Sequence, residues 1–188
     1  MLSTLLRSLP QTRNHVTIGP LTLEEHLLIQ GELIQEPVAR YTCRPVKART
    51  AEEVEADFVR SSGERSVVRI GFRESPDAEL AGRILLFDYN PRNRSAEIGY
   101  FTRPDFRRRG LTKDALELLI ELAFTVADLN KVYAQTVETN RASIRLLESL
   151  GFHRDGVLRE HHEIEGRLVA DFVYSRLAGD TAHGRGDA

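Results

Sequence analysis

The sequence contains little of what marks secreted, membrane-spanning or nucleic-acid-binding proteins. Cys43 is the only cysteine among 188 residues, so no disulfide can form within the chain, and this favours a reducing compartment. No apolar run approaches the roughly 20 residues that cross a bilayer, and the first residues lack the pattern of a signal peptide. The formal net charge of −2 gives no overall basic surface. We therefore expect a cytoplasmic protein without a membrane or nucleic-acid partner, and we predict no metal site.

The hydrophobic periodicity divides the chain into helices and strands of one domain. Two capping-box signals, Thr22 with Glu25 and Thr50 with Glu53, predict two early helices. Alternating residues then predict three antiparallel strands joined by short polar turns. The predicted elements are a loosely held N-terminal arm (1–14), a strand (15–18), the two helices, an irregular stretch (38–49), the three strands (67–72, 80–89, 95–102), a helix (111–128), a strand (131–137), a helix (140–150), a hairpin (157–164, 168–177) and a disordered tail (178–188).

This order of elements predicts the fold class. The strand–helix–strand portion around residues 95–137 favours a parallel crossover inside a mixed sheet. No internal repeat or domain linker is present in the sequence. We predict a single α/β (or α+β) domain over residues 15–177.

An arginine-rich turn, Arg107-Arg108-Arg109-Gly110-Leu111-Thr112, opens directly into the longest amphipathic helix. Gly110 allows close approach of the backbone, and the following helix offers free amide groups and the positive end of its dipole. The pattern is neither a nucleotide P-loop nor a dinucleotide fingerprint, because Gly-Lys-Ser/Thr and Gly-x-Gly-x-x-Gly are both missing. The turn is either a phosphate site or an ordinary solvated basic turn.

Three blocks of sequence together resemble the GNAT acetyltransferases. The first joins Glu97-Ile98-Gly99-Tyr100 to the arginine turn and resembles the acyl-CoA-binding signature of that superfamily. The second, Asn140-Arg141-Ala142-Ser143 through Gly151-Phe152, is similar to the next signature, and the ending from Gly166 to Leu177 resembles the ribosomal-protein-alanine N-acetyltransferase branch. The resemblance implies a mixed, twisted sheet of about seven strands with helices on both faces and central strands splayed to admit acyl-CoA.

The resemblance also implies which residues hold acetyl-CoA as cosubstrate. The diphosphate would lie on the amides of the turn and the pantetheine arm would pair with the preceding strand like an additional strand. The residues assigned to the cofactor are Tyr100, Phe101, Thr102, Arg107, Arg108, Arg109, Gly110, Leu111, Thr112, Asn140 and Ser143.

Glu97 is the candidate general base. Direct transfer requires a neutral amine, so an ammonium substrate must lose a proton to a carboxylate, directly or through water. Glu97 lies in the middle of an apolar strand, where a buried carboxylate is costly. The family commonly carries a glutamate here; the alternative is an exposed glutamate or the partner of an arginine.

Ser143 is the candidate proton donor to the departing thiolate. Many relatives carry a tyrosine four residues before the glycine–phenylalanine pair, but Leu147 occupies that position here. Ser143, a water or another group could serve instead. Asn140 can cap its helix, contact the cofactor arm, or do both. Thr112 stands where the family pattern usually has Gly or Ala.

The acceptor is less well defined by the sequence. His161 and His162 are adjacent on a strand and point to opposite faces, so they do not chelate a metal together; one of them either faces the substrate or is an ordinary surface or core histidine. Family analogy places Arg40 and Tyr41 on the substrate side.

We predict an N-acetyltransferase that transfers acetyl to a primary amine, either a protein N-terminus or a small amine or amino acid, by direct attack in a ternary complex. The alternative is a non-catalytic acyl-CoA-binding regulatory module. A monomer or a homodimer is expected.

Overall fold

The computed structural model describes residues 2–35, 41, 48–63 and 67–182. These ranges contain α1 (Leu2–Arg7), β1 (Gln11–Arg13), β2 (Val16–Pro20), α2 (Leu23–Gln35), α3 (Ala51–Gly63), β3 (Val68–Arg73), β4 (Gly82–Asn90), β5 (Ser95–Thr102), α4 (Leu111–Thr125), β6 (Lys131–Val137), α5 (Arg141–Ser149), β7 (His153–Ile164) and β8 (Arg167–Leu177). Short 3-10 helices lie at Pro104–Phe106 and Ala178–Ala182. Within these ranges no helix combines the length and the apolar character needed to cross a membrane.

The strands form one mixed sheet in the order β1-β2-β3-β4-β5-β6-β8-β7. The antiparallel pairing of β3, β4 and β5 confirms the predicted three-stranded meander. β5 precedes α4 in the chain and β6 follows it, and the two strands pair in parallel. This confirms the predicted crossover and places it near the middle of the sheet. The sequence predicts about seven strands; the additional one is β1, three residues that pair with β2.

Helices cover both faces of the sheet, as the resemblance implies. Ile98 of β5 belongs to a core that includes Leu116 and Leu119 of α4 and Ile144 of α5. Phe101, an odd number of residues further along β5, points to the opposite face. There it packs in a second cluster with residues of α2, and the cluster consists of Leu21, Ile29, Leu33, Leu80 and Phe101. β5 therefore carries side chains into both layers.

Local signals fix the starts of α2 and α3. The Glu25 amide donates to Thr22 Oγ1 at 3.2 Å, and the Thr22 amide donates to Glu25 Oε2 at 3.0 Å. Thr50 and Glu53 make the same reciprocal pair at 3.2 and 2.9 Å. Both predicted capping boxes are confirmed, and each satisfies two amides that a helix start would otherwise leave unpaired.

Residues 2–14 differ from the loosely held arm that the sequence predicts for 1–14. α1 buries Leu2 and Leu5, and Leu5 is fully inaccessible to solvent. Arg13 of β1 makes a two-pronged ion pair with Glu121 of α4 at 2.6 and 2.7 Å. The prediction was wrong because a six-residue helix carries too little periodicity to be detected, and its stability comes from packing. The domain limits at residues 15 and 177 stay a prediction.

Two predicted boundaries at the end of elements also change. Ala178–Ala182 form a 3-10 helix in which the Leu177 amide donates to Asp180 Oδ2 at 2.8 Å, so the predicted disorder does not begin at residue 178. Residues 183–188 of the predicted tail lie outside the described residues. α4 ends at Thr125 instead of residue 128, and the left-handed residue that follows it is Asp128, with φ +49°.

Candidate active site

The central feature of the site is a split between β5 and β6. The two strands pair only from Ser95 to Glu97, opposite Lys131 to Tyr133. Beyond that point β5 stays paired with β4 as far as Thr102, while β6 stays paired with β8 as far as Val137. The strands therefore diverge after Glu97, and they leave an opening in the middle of the sheet toward the carboxyl end of β5. This is the splayed arrangement that the resemblance to the GNAT acetyltransferases implies.

The arginine turn lies at the wide end of this opening. It follows β5 through the 3-10 helix Pro104–Phe106 and reaches α4 through two left-handed residues, Arg108 at φ +62° and Gly110 at φ +81°. Gly110 is the N-cap of α4, and no side chain caps the helix there. The first amides of a helix have no intrahelical partner, and they carry the positive end of the dipole. The turn therefore presents an uncapped, positively polarised helix start toward the opening.

Side-chain contacts hold the turn against β5. Thr112 Oγ1 lies 2.5 Å from Thr102 Oγ1, which ties the first turn of α4 to the end of the strand. Arg107 Nε donates to the Thr102 carbonyl at 3.1 Å, and its guanidinium lies 5.8 Å from the centre of the Phe101 ring. These three contacts fix the position of the backbone amides of the turn relative to the strand.

The other two arginines of the turn point elsewhere. Arg109 stacks 5.1 Å from the Phe106 ring and forms an ion pair with Glu74 at 3.4 Å. Arg108 is exposed. The structure thus gives the three arginines different surroundings, although the sequence places them in one run.

Glu97 lies at the point where the strands diverge. It is half-buried on the face of the sheet that carries α2, beside Phe87 of β4 and Tyr133 of β6. The Tyr133 hydroxyl donates to the carboxylate of Asp88. Burial, that hydrogen bond and the negative charges of Asp88 and Glu97 all raise the pKa of Tyr133. A neutral phenol and two carboxylates therefore surround the narrow end of the opening.

The other face of β5 meets the start of α5. The side chain of Asn140 accepts a hydrogen bond from the Ser143 amide at 3.2 Å, which confirms the predicted cap. Ser143 Oγ lies 2.7 Å from the hydroxyl of Tyr100, a pair that sequence reasoning missed because the residues are 43 positions apart. Burial raises the pKa of Tyr100 to about 12, and the hydrogen bond with Ser143 opposes this rise, so the phenol is protonated at neutral pH. Leu147 is fully buried in the core.

The two histidines of β7 have different surroundings. His161 is exposed, whereas the Nδ1 atom of His162 lies 3.4 Å from the Oδ2 atom of Asp171, a residue fully buried on β8. Asp171 is paired with Val137, at the far end of β6. Sequence reasoning missed Asp171, although an aspartate in the apolar run of β8 is a signal for a specific role. Arg40 lies outside the described residues, as does most of the predicted irregular stretch 38–49.

Comparison with known proteins assigns the chain to a family. A family model described as the acetyltransferase (GNAT) domain matches residues 15–153. The uncharacterized N-acetyltransferase p20 of Bacillus licheniformis is 36% identical over 90 residues, which cover 48% of this chain and 51% of that protein. The putative ribosomal N-acetyltransferase YdaF of Bacillus subtilis is 34% identical over 101 residues, 54% of this chain and 55% of that protein. The chain thus spans about half the length of these curated relatives.

A solved structure shares the fold over nearly the whole chain. The spermidine N-acetyltransferase of Vibrio cholerae, in complex with CoA and spermine, superposes with a TM-score of 0.83. The match covers 91% of this chain and all of that one, at 20% sequence identity, so it is similarity of fold. Because the family model covers well over half of the 188 residues, the chain belongs to the GNAT acetyltransferase family.

Proposed function

We propose that the protein transfers an acetyl group from acetyl-CoA to a primary amine by direct attack within a ternary complex. The observation that carries this proposal is the opening between β5 and β6 with the uncapped start of α4 at its wide end. A long ligand with a diphosphate and an amide-bearing arm suits this combination, because helix amides bind phosphate and an unpaired strand edge binds amides.

The residues of the opening fit acetyl-CoA in two respects. Residues 108–112 would hold the diphosphate through backbone amides, since Gly110 lets the backbone come close and no side chain caps the helix. Tyr100, Phe101 and Thr102 lie beyond the last β5–β6 pair, so this part of β5 is not paired with β6 and would receive the pantetheine arm. Acetyl-CoA supplies the activated acetyl group, and the protein's own groups bind it and move protons.

Glu97 is the proposed general base. Its carboxylate lies at the narrow end of the opening, on the side away from α4 and α5. There it would accept the proton of the acceptor ammonium, directly or through one water, and so leave a neutral amine for attack.

Ser143 is the proposed donor to the departing thiolate, and Tyr100 would position its hydroxyl. The 2.7 Å contact gives the Ser143 hydroxyl a protonated partner that can pass a proton along. This pair takes the place of the tyrosine that relatives carry where Leu147 lies, because the buried Leu147 has no group to donate.

The acceptor is proposed to be a primary amine of one of two kinds. Spermidine is the substrate in the name of the Vibrio cholerae neighbour, and YdaF is named as a putative ribosomal N-acetyltransferase. A small amine and a protein N-terminus are therefore both candidates. A cytoplasmic location and a monomeric or homodimeric state are proposed with them.

A thiol-release assay with acetyl-CoA and a panel of amines and N-terminal peptides tests the proposal. We expect turnover with at least one acceptor, and Glu97→Gln should lower kcat by roughly 100-fold or more, the typical contribution of a general base. The matched control is Glu117→Gln on the exposed side of α4, which should leave kcat unchanged. CoA binding without turnover on any amine would favour the non-catalytic acyl-CoA-binding module, and absence of CoA binding would exclude both functions.

A further inference from the structure

Helix α2 crosses the sheet at the wide end of the opening, on the face that carries Glu97. Its first turn is tied to β3 by an ion pair between Glu25 and Arg73, the last residue of that strand. Further along α2, Glu32 Oε1 accepts a hydrogen bond at 2.8 Å from Nε of Arg103, the residue directly after β5. The register of β3, β4 and β5 places both contacts level with the carboxyl end of β5. The helix therefore runs from β3 across β4 to β5.

The length of α2 places its last residues beside the opening. From Glu25 to Glu32 the helix rises about 10 Å, at about 1.5 Å per residue. This matches the separation of β3 and β5, which is two strand spacings of about 4.8 Å each. The remaining residues of α2, up to Gln35, add about 4.5 Å, close to one further spacing. In an unbroken sheet β6 would lie there, but the two strands have diverged at this level, so the end of α2 borders the gap.

Arg103 fixes this part of α2. Its side chain is only 11% exposed, and besides Glu32 it contacts the segment before β4, where Nη1 donates to the Leu80 carbonyl at 2.8 Å and to the carboxylate of Glu79. Its guanidinium also lies 5.5 Å from the centre of the Phe106 ring, in the 3-10 helix that leads to the arginine turn. The rigid fork of a guanidinium holds several acceptors at fixed positions, so one side chain links α2 to the rest of the opening.

We propose that Arg103 is a positioning residue for the acceptor: through Glu32 it holds the end of α2 beside the opening, on the path of the amine to Glu97. This role rests on the proposed function, because it requires an acceptor that enters on the face of α2. Ile34 and Gln35, the last two residues of the helix, are exposed and so available to contact the acceptor. Loss of the link to Glu32 would let this end of α2 move, which weakens acceptor binding and leaves the reacting groups of the opening in place.

Two variants break the link from opposite sides, Arg103→Met and Glu32→Ala. The full-length proteins are assayed by thiol release with acetyl-CoA and the fastest acceptor from a panel that includes spermidine and peptides with N-terminal alanine. We expect each variant to raise the KM for the acceptor roughly fivefold or more, with kcat within about twofold of the wild type, because only binding of the acceptor is weakened. The double variant should exceed the larger single effect by no more than about twofold, since both substitutions remove the same contact.

The matched control is Glu79→Ala. It removes the more exposed partner of the same arginine, 66% exposed and outside α2, and should leave the KM for the acceptor unchanged. Hydrogen exchange in the proteins without ligands gives a second measurement: amides 32–35 should exchange faster in Arg103→Met and Glu32→Ala and not in Glu79→Ala. If Arg103→Met does not fold, Glu32→Ala alone decides.

The outcomes separate this role from the proposed function. A wild type without turnover on any member of the panel would refute the proposed function, and the role of Arg103 with it. Wild-type turnover with an unchanged acceptor KM in the folded variants would refute the positioning role alone, even where amides 32–35 exchange faster, because the contact would then be purely structural. An equal rise of KM in Glu79→Ala, or unchanged exchange at the end of α2, would also overturn it.

Discussion

Replacing Gly110 by valine tests whether backbone amides hold the diphosphate. At φ +81° an added Cβ would come no closer than 4.0 Å to the nearest group found, Asp114 Oδ2, so the Cβ itself meets no clash and the substitution acts through backbone strain. The left-handed conformation costs an L-residue about 1–2 kcal/mol, and a β-branched residue tolerates it poorly. If the turn relaxes to relieve this strain, the amides at the start of α4 move away from the ligand. A loss of 1.4 kcal/mol corresponds to about tenfold in the dissociation constant.

Arg108→Ala is the matched comparison. Arg108 is exposed and also has positive φ, at +62°. Alanine removes the charge, and the residue at this position still has to adopt the left-handed conformation. An exposed ion pair between Arg108 and the diphosphate would contribute about 0.2–1 kcal/mol, or up to roughly fivefold in affinity. Isothermal titration with CoA measures both variants, and urea unfolding shows how much strain stays in the folded protein. Equal changes in the dissociation constant, or a larger change for Arg108→Ala, would refute the role of the backbone amides.

Four further substitutions test other parts of the structure. Ser143→Ala should lower kcat by roughly tenfold or more, and Tyr100→Phe should lower kcat less. Steady-state thiol release measures both, and an unchanged kcat in Ser143→Ala would remove it as the donor. Leu5→Ala should destabilise the protein by about 2–5 kcal/mol in urea, because Leu5 is fully buried, and a loss below about 1 kcal/mol would mean that α1 is loosely held after all. Folding lowers the pKa of His26 from 6.5 to about 3, so the unfolded chain binds the proton more readily than the folded protein does. The contribution of His26 to the free energy of unfolding is therefore complete above pH 6.5 and is lost as the pH falls toward 3. The wild type should therefore lose up to about 2 kcal/mol more than His26→Gln between pH 7 and pH 5, and parallel stability curves would contradict the burial of a neutral His26.

The elements that the sequence predicts well are those determined by neighbouring residues. The boxes at Thr22 and Thr50 each depend on a partner three positions away, and both form as predicted. The cap at Asn140 likewise depends on Ser143. Such contacts form within one helical turn, so their geometry follows from the helix itself.

The parts that the sequence did not reveal depend on contacts between distant segments. Tyr100 meets Ser143 only because β5 and α5 pack against each other. Tyr133 of β6 meets Asp88 of β4 only because these two strands lie on either side of β5 in the sheet. α1 is held by burial of Leu5 and has no local signal of comparable strength. Periodicity identifies which residues face inward, but it does not identify which inward-facing residues meet.

The alternation of side chains along β5 separates the two proposed proton-transfer groups. Glu97 and Tyr100 are an odd number of positions apart in the strand, so they point to opposite faces of the sheet. Tyr100 meets Ser143 of α5 on one face, and Glu97 lies on the face that carries α2. A continuous sheet would keep these groups apart, but β5 and β6 cease to pair immediately after Glu97. The proposed base and the proposed donor can therefore act on opposite sides of one reacting centre in the opening, which explains why a single strand can carry both without a direct contact between them.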